Sequence, residues 1–364
     1  MNKPIQRSRK RSTASGRNVT IKDLAAELNV SITTISRALN GYTDVGEKTR
    51  EKVVETARRL GYTPNRNAQR LVTQRSHSIG WVQSDDDNKF VDPHFVEVMA
   101  GVLREARKDH YDIVMTSENP QRQLATYERY VHDGSVDGFI VDLPRPDDPR
   151  ITFLLEAGVP FVVHGREARS ERYGWVDVDN YGNFYNLTKL ILANGHKRFA
   201  FINGDEQFLY ATTRRQAVYD ALRDLGHSPD AVMYLEGTHP MVEAGYQLTE
   251  LALAEPSITA FLYSSILLAT EGLAAISRAG RVPGRDVMVA SMNDELQYLN
   301  LGPLEGQITY VRSSLRTAGS ALVAEVIRQC ERKQISGTLV PSVFDLGDGV
   351  DGESIAGDVE LVGA

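Results

Sequence analysis

V-T-I-K-D-L-A-A-E-L-N-V-S-I-T-T-I-S-R-A-L-N-G, residues Val19 to Gly41, reads as two short helices joined by a tight turn. Thr20 is placed to cap the first helix, and Asp23 three residues on completes a capping-box pattern. Leu24, Ala25 and Leu28 give that helix one apolar face. Asn29-Val30-Ser31 forms the turn, with Ser31 as the cap of the second helix. Ile35, Ala38 and Leu39 then face the first helix and leave Ile32, Thr33 and Arg37 pointing outward. This is the layout of a helix-turn-helix, in which residues at the start of the second helix reach base edges in the major groove.

Charge is divided along the chain. The net charge of −7 over 364 residues argues against nucleic-acid binding by the whole molecule. Up to His77, however, there are 16 Lys and Arg against 6 Asp and Glu, while the remainder holds 25 against 42. A head at +10 on a body at −17 confines phosphate contact to the head, where it is salt-dependent and blind to sequence. Residues 1–18, with Lys3, Arg7, Arg9, Lys10, Arg11 and Arg17 among polar residues, read as a disordered basic arm. That arm is either a solvated tail or a supplementary phosphate contact. It lacks the apolar stretch of a secretory signal, and no run is apolar enough to span a bilayer, so the expected location is the cytoplasm. The single cysteine, Cys330, excludes an internal disulfide framework and reads as a buried structural thiol.

Beyond the helix pair, Val53, Val54, Ala57 and Leu60 recur at helical spacing, predicting a third helix from Glu47 to Leu60 ended by Gly61. The head therefore spans 19–63. Pro64 opens N-R-N-A-Q-R-L-V, a candidate short helix, and residues 64–77 as a whole read as hinge and linker. From Ser78 onward, apolar runs such as Ile79–Val82, Gly138–Val141, Pro160–Val163, Phe199–Ile202, Ala260–Tyr263 and Val287–Ala290 alternate with amphipathic helices. Such alternation predicts parallel sheets covered on both faces. Its extent, residues 78–344, predicts two lobes with a cleft between them. Residues 345–364 are acidic and glycine-rich and are expected to form a partly loose tail. The fold class is thus α/β, with a small all-α helix-turn-helix head on a two-lobed, parallel-sheet body.

The chain closely resembles the LacI/GalR family of transcriptional regulators. The resemblance rests on T-I-K-D-L-A, V-S-I-T-T-I-S-R-A-L-N-G and G-Y-T-P-N-R-N-A-Q-R-L near the start, and in the body on V-D-G-F-I-V, V-D-V-D-N, N-G-H-K-R-F-A-F-I-N-G and R-R-Q-A-V-Y-D-A-L. It implies a homodimer on a near-palindromic double-stranded operator, with a body like the type I periplasmic sugar-binding proteins. Ile32, Thr33 and Arg37 would then discriminate bases, Arg37 through guanine O6/N7 or, failing that, through a phosphate. Thr20, Ser31, Thr34, Ser36 and Asn40 are the accompanying DNA-contact candidates, Thr34 and Ser36 through phosphate or helix packing. Ala68 matches the small residue that lets two hinge helices pack, and Leu71 the leucine wedged into the minor groove. For the effector, the matching positions are Phe95, Arg166, Arg215, His239, Ser265, Asn293 and Arg312, with Asp179 read instead as a helix cap. Arg215 is the lead candidate, from its spacing ahead of Tyr219.

Departures from the family pattern bear on the effector. Ser265-Ile266 stands where a Ser-Asp pair is usual, Asn293 where an aspartate commonly takes sugar hydroxyls, and His164-Gly165-Arg166 where an apolar-Asp-Arg triplet is common. These losses of carboxylate leave open an acidic or phosphorylated sugar, although an uncharged sugar is the leading expectation. Release from DNA by the effector leads over co-repression. An enzyme, or a binding protein without a regulatory role, is the rival class. The sequence has no G-x-x-x-x-G-K-[ST], no G-x-S-x-G and no metal-spaced His/Cys cluster, so no cofactor and no metal are expected. If Leu71 is the wedge, Leu71→Ala weakens operator binding far more than binding to random DNA. Equal losses on the two DNAs in a gel shift would overturn that role.

Overall fold

The computed structural model describes residues 19–39, 42–63, 75–85, 89–167, 170–236 and 244–362. The basic arm expected at 1–18 lies outside them. The chain divides into two compact units at Arg75/Ser76.

The head is three helices, α1 (Ile21–Leu28), α2 (Ile32–Leu39) and α3 (Glu47–Leu60). The Asp23 carboxylate accepts from both the backbone N–H and the hydroxyl of Thr20, each at 2.7 Å, which fixes the start of α1. Asn29 ends it in the left-handed region at φ 52°, a conformation asparagine tolerates better than most residues. The turn then closes onto Ser31, whose Oγ accepts from the N–H of Thr34 at 3.0 Å to start α2. Gly61, at φ 69°, ends α3. Leu24, Ile35, Ala38, Val45, Val53 and Ala57 form the core where the three helices meet. Each of the large aliphatic chains contributes about 1.5–3 kcal/mol by full burial.

The body holds two sheets. The first has six strands, β1 (Ser78–Ser84), β2 (Asp112–Glu118), β3 (Gly138–Asp142), β4 (Phe161–His164), β5 (Gly174–Val178) and β11 (Gly337–Val340), in the order β11-β5-β4-β3-β1-β2, and all its pairings are parallel. The second has β6 (Phe199–Asn203), β7 (Val232–Glu236), β8 (Ala260–Tyr263), β9 (Met288–Asn293), β10 (Thr309–Arg312), β12 (Val343–Asp345) and β13 (Glu360–Val362), in the order β13-β12-β10-β9-β8-β6-β7. Only its β10–β12 pairing is antiparallel. Consecutive strands change sheet after β5, after β10 and after β11, so the main chain crosses between the lobes three times.

Helices α4 (Pro93–Lys108) and α11 (Leu315–Cys330) pack against each other and on the first sheet. Helices α5 (Gln123–Asp133) and α6 (Pro149–Ala157) serve that lobe too, with α5 against β1. In the second lobe α7 (Asn180–Ala193) pairs with α8 (Leu209–Asp224), and α9 (Ala244–Leu253) with α10 (Ile266–Arg278). Strands β3, β6, β8 and β9 are continuous buried runs because both sheet faces are covered there.

Two boundaries differ from expectation. Residues 76 and 77, read as linker, are part of the body. Asp137 accepts from the Ser76 N–H and hydroxyl at 2.6 and 2.8 Å and from the His77 N–H at 2.9 Å. The acidic tail is built in as well. Ile355 is fully buried, Lys189 pairs with Asp358 at 2.9 Å, and β13 extends the second sheet. Local acidity says little about a segment whose apolar residues Leu346, Val350, Ile355, Val359 and Leu361 find the core. Cys330 is buried, as expected, and its thiol donates to the Asp137 carbonyl.

The α4–α11 crossing is made by two glycines. A Cβ on Gly101 would stand 2.1 Å from the Arg316 carbonyl oxygen, and one on Gly319 2.1 Å from that of Val98. Gly319→Ala is therefore expected to force the two backbones apart and destabilise the body by about 1–3 kcal/mol or more, the cost of overpacking. A melting temperature equal to that of the parent chain would contradict this close contact.

Candidate nucleic-acid interface and interlobe site

On α2, Ile32 is 44% exposed and Thr33 and Arg37 are exposed beside it. Thr34 and Ser36 are half-buried, and the Ser31 and Thr34 hydroxyls are 2.8 Å apart, so Ser31 is committed to capping. Thr20 is exposed and held by Asp23. Asn40, Ala68 and Leu71 lie outside the described residues. The Arg37 guanidinium forms a fork with Asp44, Nε at 3.0 Å and Nη2 at 2.5 Å, and lies over the Tyr42 ring. Both partners of this ion pair are about half exposed. Such a pair is worth about 0–1 kcal/mol, against about 1–3 kcal/mol for a good bidentate base contact. A pair of that strength is weak enough for a base edge to displace, and Asp44 meanwhile orients the guanidinium.

In the body, polar side chains from both lobes converge at the C-terminal ends of the strands. His94 sits in the first turn of α4, where Asp92 caps the helix by accepting the His94 N–H at 3.0 Å. Its Nδ1 lies 2.9 Å from Asp92 Oδ1. Its Nε2 lies 3.1 Å from Ser265 Oγ and 3.3 Å from Asp294 Oδ2, both in the second lobe. Burial alone would lower the pKa of this imidazole. Hydrogen bonds and charge from Asp294 and Asp92 outweigh it and push the value up to about 10. One helical turn on, Glu97 accepts from the Gln297 N–H at 3.0 Å and pairs with Arg316 at 2.7 Å.

A second strand of the cluster runs through Arg214 on α8. Its Nε donates to Asn180 Oδ1 at 2.8 Å and its Nη1 to the Ser264 carbonyl at 2.7 Å, with the rings of Phe184 and Tyr210 against the guanidinium. Burial lowers the Arg214 pKa, opposed by Asp294, Tyr210 and Asp177. Asn180 in turn donates to Asp177 Oδ1 at 3.0 Å, and Arg166 reaches Asp177 Oδ2 at 3.2 Å. Burial pushes the Asp177 carboxyl up to about 6, with Arg166 opposing.

Of the effector candidates, Ser265, Asn293 and Arg166 lie in or beside this cluster. Ser265 caps α10 and Asn293 ends β9, its Oδ1 accepting from the Glu295 N–H at 3.0 Å. Phe95 is instead a core residue, packed between Trp81 and Phe90, and the preceding His94 is the one that reaches across. Arg215 lies apart, half-exposed and paired with Glu206 at 3.0 Å. The arginine directed into the cluster is Arg214. Helical spacing held that signal, since Ala211, Arg214, Ala217, Val218 and Ala221 share the buried face of α8. Arg312 stands at a lobe crossing, 3.7 Å from Asp345, lining a cavity of about 250 Å³ with Ser313 and Thr317. His239 lies outside the described residues, and Asp179 caps α7 as expected, accepting from the Gly182 N–H at 2.9 Å.

Ser265, His94 and Asp92 stand at the distances of a Ser-His-Asp triad. With carboxylates facing both ring nitrogens, however, the imidazolium has no lone pair to receive a serine proton. Among the described residues no group of three His, Cys, Asp or Glu could hold a metal ion, and no helix is long and apolar enough to cross a membrane.

Comparison with known proteins agrees with this architecture. Residues 20–65 match the bacterial regulatory proteins of the lacI family, and residues 76–345 match the periplasmic binding proteins and sugar binding domain of LacI family. The chain belongs to the LacI family and is a DNA-binding transcriptional regulator, not an enzyme. It is 38% identical over 311 residues to the HTH-type transcriptional regulator AglR of Rhizobium meliloti, covering 85% of this chain and 87% of that one. It is 30% identical over 312 residues to RafR of Escherichia coli, covering 85% and 91%. Among solved structures, the lac repressor dimer bound to operator and the anti-inducer ONPF superposes with a TM-score of 0.74 at 22% identity, covering 90% of this chain and 98% of that one. The transcriptional regulator CelR–cellobiose complex gives 0.64 at 24%, with the same coverage.

Two substitutions test the reading of Arg37. Arg37→Ala is expected to weaken operator binding by about ten- to a hundredfold and to relax preference at one base pair. Asp44→Asn should leave that preference intact in a binding-site selection assay. A uniform loss across all sequences with Arg37→Ala would make the contact a phosphate contact.

Proposed function

We propose that this chain is a homodimeric cytoplasmic repressor of carbohydrate uptake or catabolism genes, released from a near-palindromic operator by a sugar. Ile32, Thr33 and Arg37 read the half-site, Ala68 and Leu71 serve the hinge, and the effector binds where the two lobes meet. The relatives support the sugar: the CelR structure holds cellobiose, and the lac repressor dimer carries both operator and a small molecule.

The observation that carries the ligand class is charge balance. Among the described residues, the buried or half-buried ionic groups at the seam are Arg166, Arg214, Arg316 and protonated His94 against Asp92, Glu97, Asp177 and Asp294. A site whose four cations are matched by four carboxylates has no net charge to offer an anion. It is rich in the paired donors and acceptors that hydroxyl groups exchange with. The missing carboxylate at Asn293 is thus made up by Asp294 next to it, which favours an uncharged sugar over an acidic or phosphorylated one. Asn293, Ser265 and Arg214 are the contacts assigned to its hydroxyls, with Arg166 at the edge.

Release by the effector requires that it bind the DNA-competent and the DNA-released arrangements unequally. A gel shift on palindromic sites upstream of the chain's own and neighbouring genes tests the whole reading, with neutral di- and trisaccharides, uronic acids and sugar phosphates added in turn. The expected result is a specific shift abolished by one neutral sugar. Abolition by an acidic sugar alone would overturn the ligand class, and a shift that forms only with ligand would replace induction by co-repression.

A further inference from the structure

The contact that joins the lobes at the start of α4 is built to hold a proton. His94 reaches Ser265 and Asp294 in the second lobe, while Asp92 on its own turn holds the other ring nitrogen. A neutral imidazole has one N–H and one lone pair. With its proton on Nδ1, it keeps Asp92 and can accept from the Ser265 hydroxyl. The lone pair then faces the Asp294 carboxylate at 3.3 Å, turning an attraction into a repulsion. Only the doubly protonated ring satisfies both carboxylates.

Other titratable and charged groups face this contact from the elements packed around it. From α8, Tyr210 feels both Asp92 and Asp294, and burial holds its hydroxyl protonated well above the ordinary range. Arg214, also on α8, lies near enough to Asp294 to be stabilised by it, but its hydrogen bonds go to Asn180 and the Ser264 carbonyl. Tyr298, beyond β9, feels Asp92. Glu97, on the same face of α4, is matched by Arg316. The His94 proton therefore neutralises a carboxylate pair drawn from two lobes.

We propose that closure of the two lobes takes up a proton at His94, so that the seam is a pH-sensitive latch. When the lobes part, His94 keeps Asp92 and loses Asp294 and Ser265 to solvent. Its affinity for the proton then falls toward that of an ordinary histidine. The sign follows from linkage. The proton is bound more tightly in the closed form, so the latch is fully made below the open-state value, which lies nearer to that of an ordinary histidine. It weakens as pH rises toward the closed-state value of about 10. Across that window the closed-to-open ratio falls by up to about tenfold per pH unit. The latch requires no assumption about which effector binds or which arrangement holds DNA.

The test uses the full chain without any ligand. In protein labelled at histidine 13Cε1, the resonance missing from His94→Gln is expected to titrate above pH 8.5, and to return toward the ordinary histidine range in Asp294→Asn. Hydrogen exchange reads the latch itself, because the Gln297 N–H donates to Glu97 across the same seam. Relative to intrinsic exchange, protection of the peptide carrying Gln297 should fall with pH between 7 and 9 in the parent chain and stay flat in His94→Gln. A His94 resonance titrating between pH 6 and 7, or the same pH dependence in parent and variant, would overturn the proposal. Should His94→Gln fail to fold, Asp294→Asn removes only the charge and must flatten the same profile.

Discussion

The body depends on two backbones that touch. Gly101 and Gly319 bring α4 and α11 together so closely that each helix's carbonyl oxygen occupies the space of the other's absent side chain. That contact joins a segment from early in the chain to one that has just returned from the second lobe. It sets the height of α4 on the first sheet and thereby carries its first two turns, with His94 and Glu97, to the other lobe. Arg316, on the first turn of α11, reaches back to Glu97 from the same crossing. Interlobe chemistry is thus positioned by a packing contact whose closeness comes from two residues without side chains.

The head works on a different scale. Its core is six buried residues, and its outward helix face carries one guanidinium paired with one aspartate. A buried partner would hold Arg37 back from DNA, because leaving a buried carboxylate unpaired costs several kcal/mol. Both partners here are about half in water, so Arg37 is oriented without being trapped. The local charge surplus of the head complements this arrangement, supplying attraction that does not depend on sequence and leaving discrimination to a few side chains.

Much of this was legible in the sequence, for reasons that differ by element. Thr20, Asp23, Ser31 and Gly61 announce helix ends because capping is local, needing only residues three or four apart. Parallel strands announce themselves as apolar runs because both faces are buried. The interlobe cluster was only half visible. Ser265 and Asn293 could be placed, but His94 finds its partner 171 residues away, and no local pattern encodes that encounter. Arg214 and Arg215 differ by one position and by 100° around a helix, so motif spacing pointed to one while the apolar periodicity of α8 pointed to the other. The tail misled in the opposite direction, since its acidity and glycines hide Ile355, which packs in the core.

The three passages of the main chain between the sheets have a mechanical consequence. A single covalent bridge would let one lobe swivel freely, and cutting it would separate the halves. Three neighbouring bridges restrict the relative movement of the lobes to bending and modest twist about their common line, so small changes at the seam become a directed swing. They also make the body tolerant of damage. A single peptide-bond break in any one passage leaves two others carrying the load, and the nicked molecule stays in one piece.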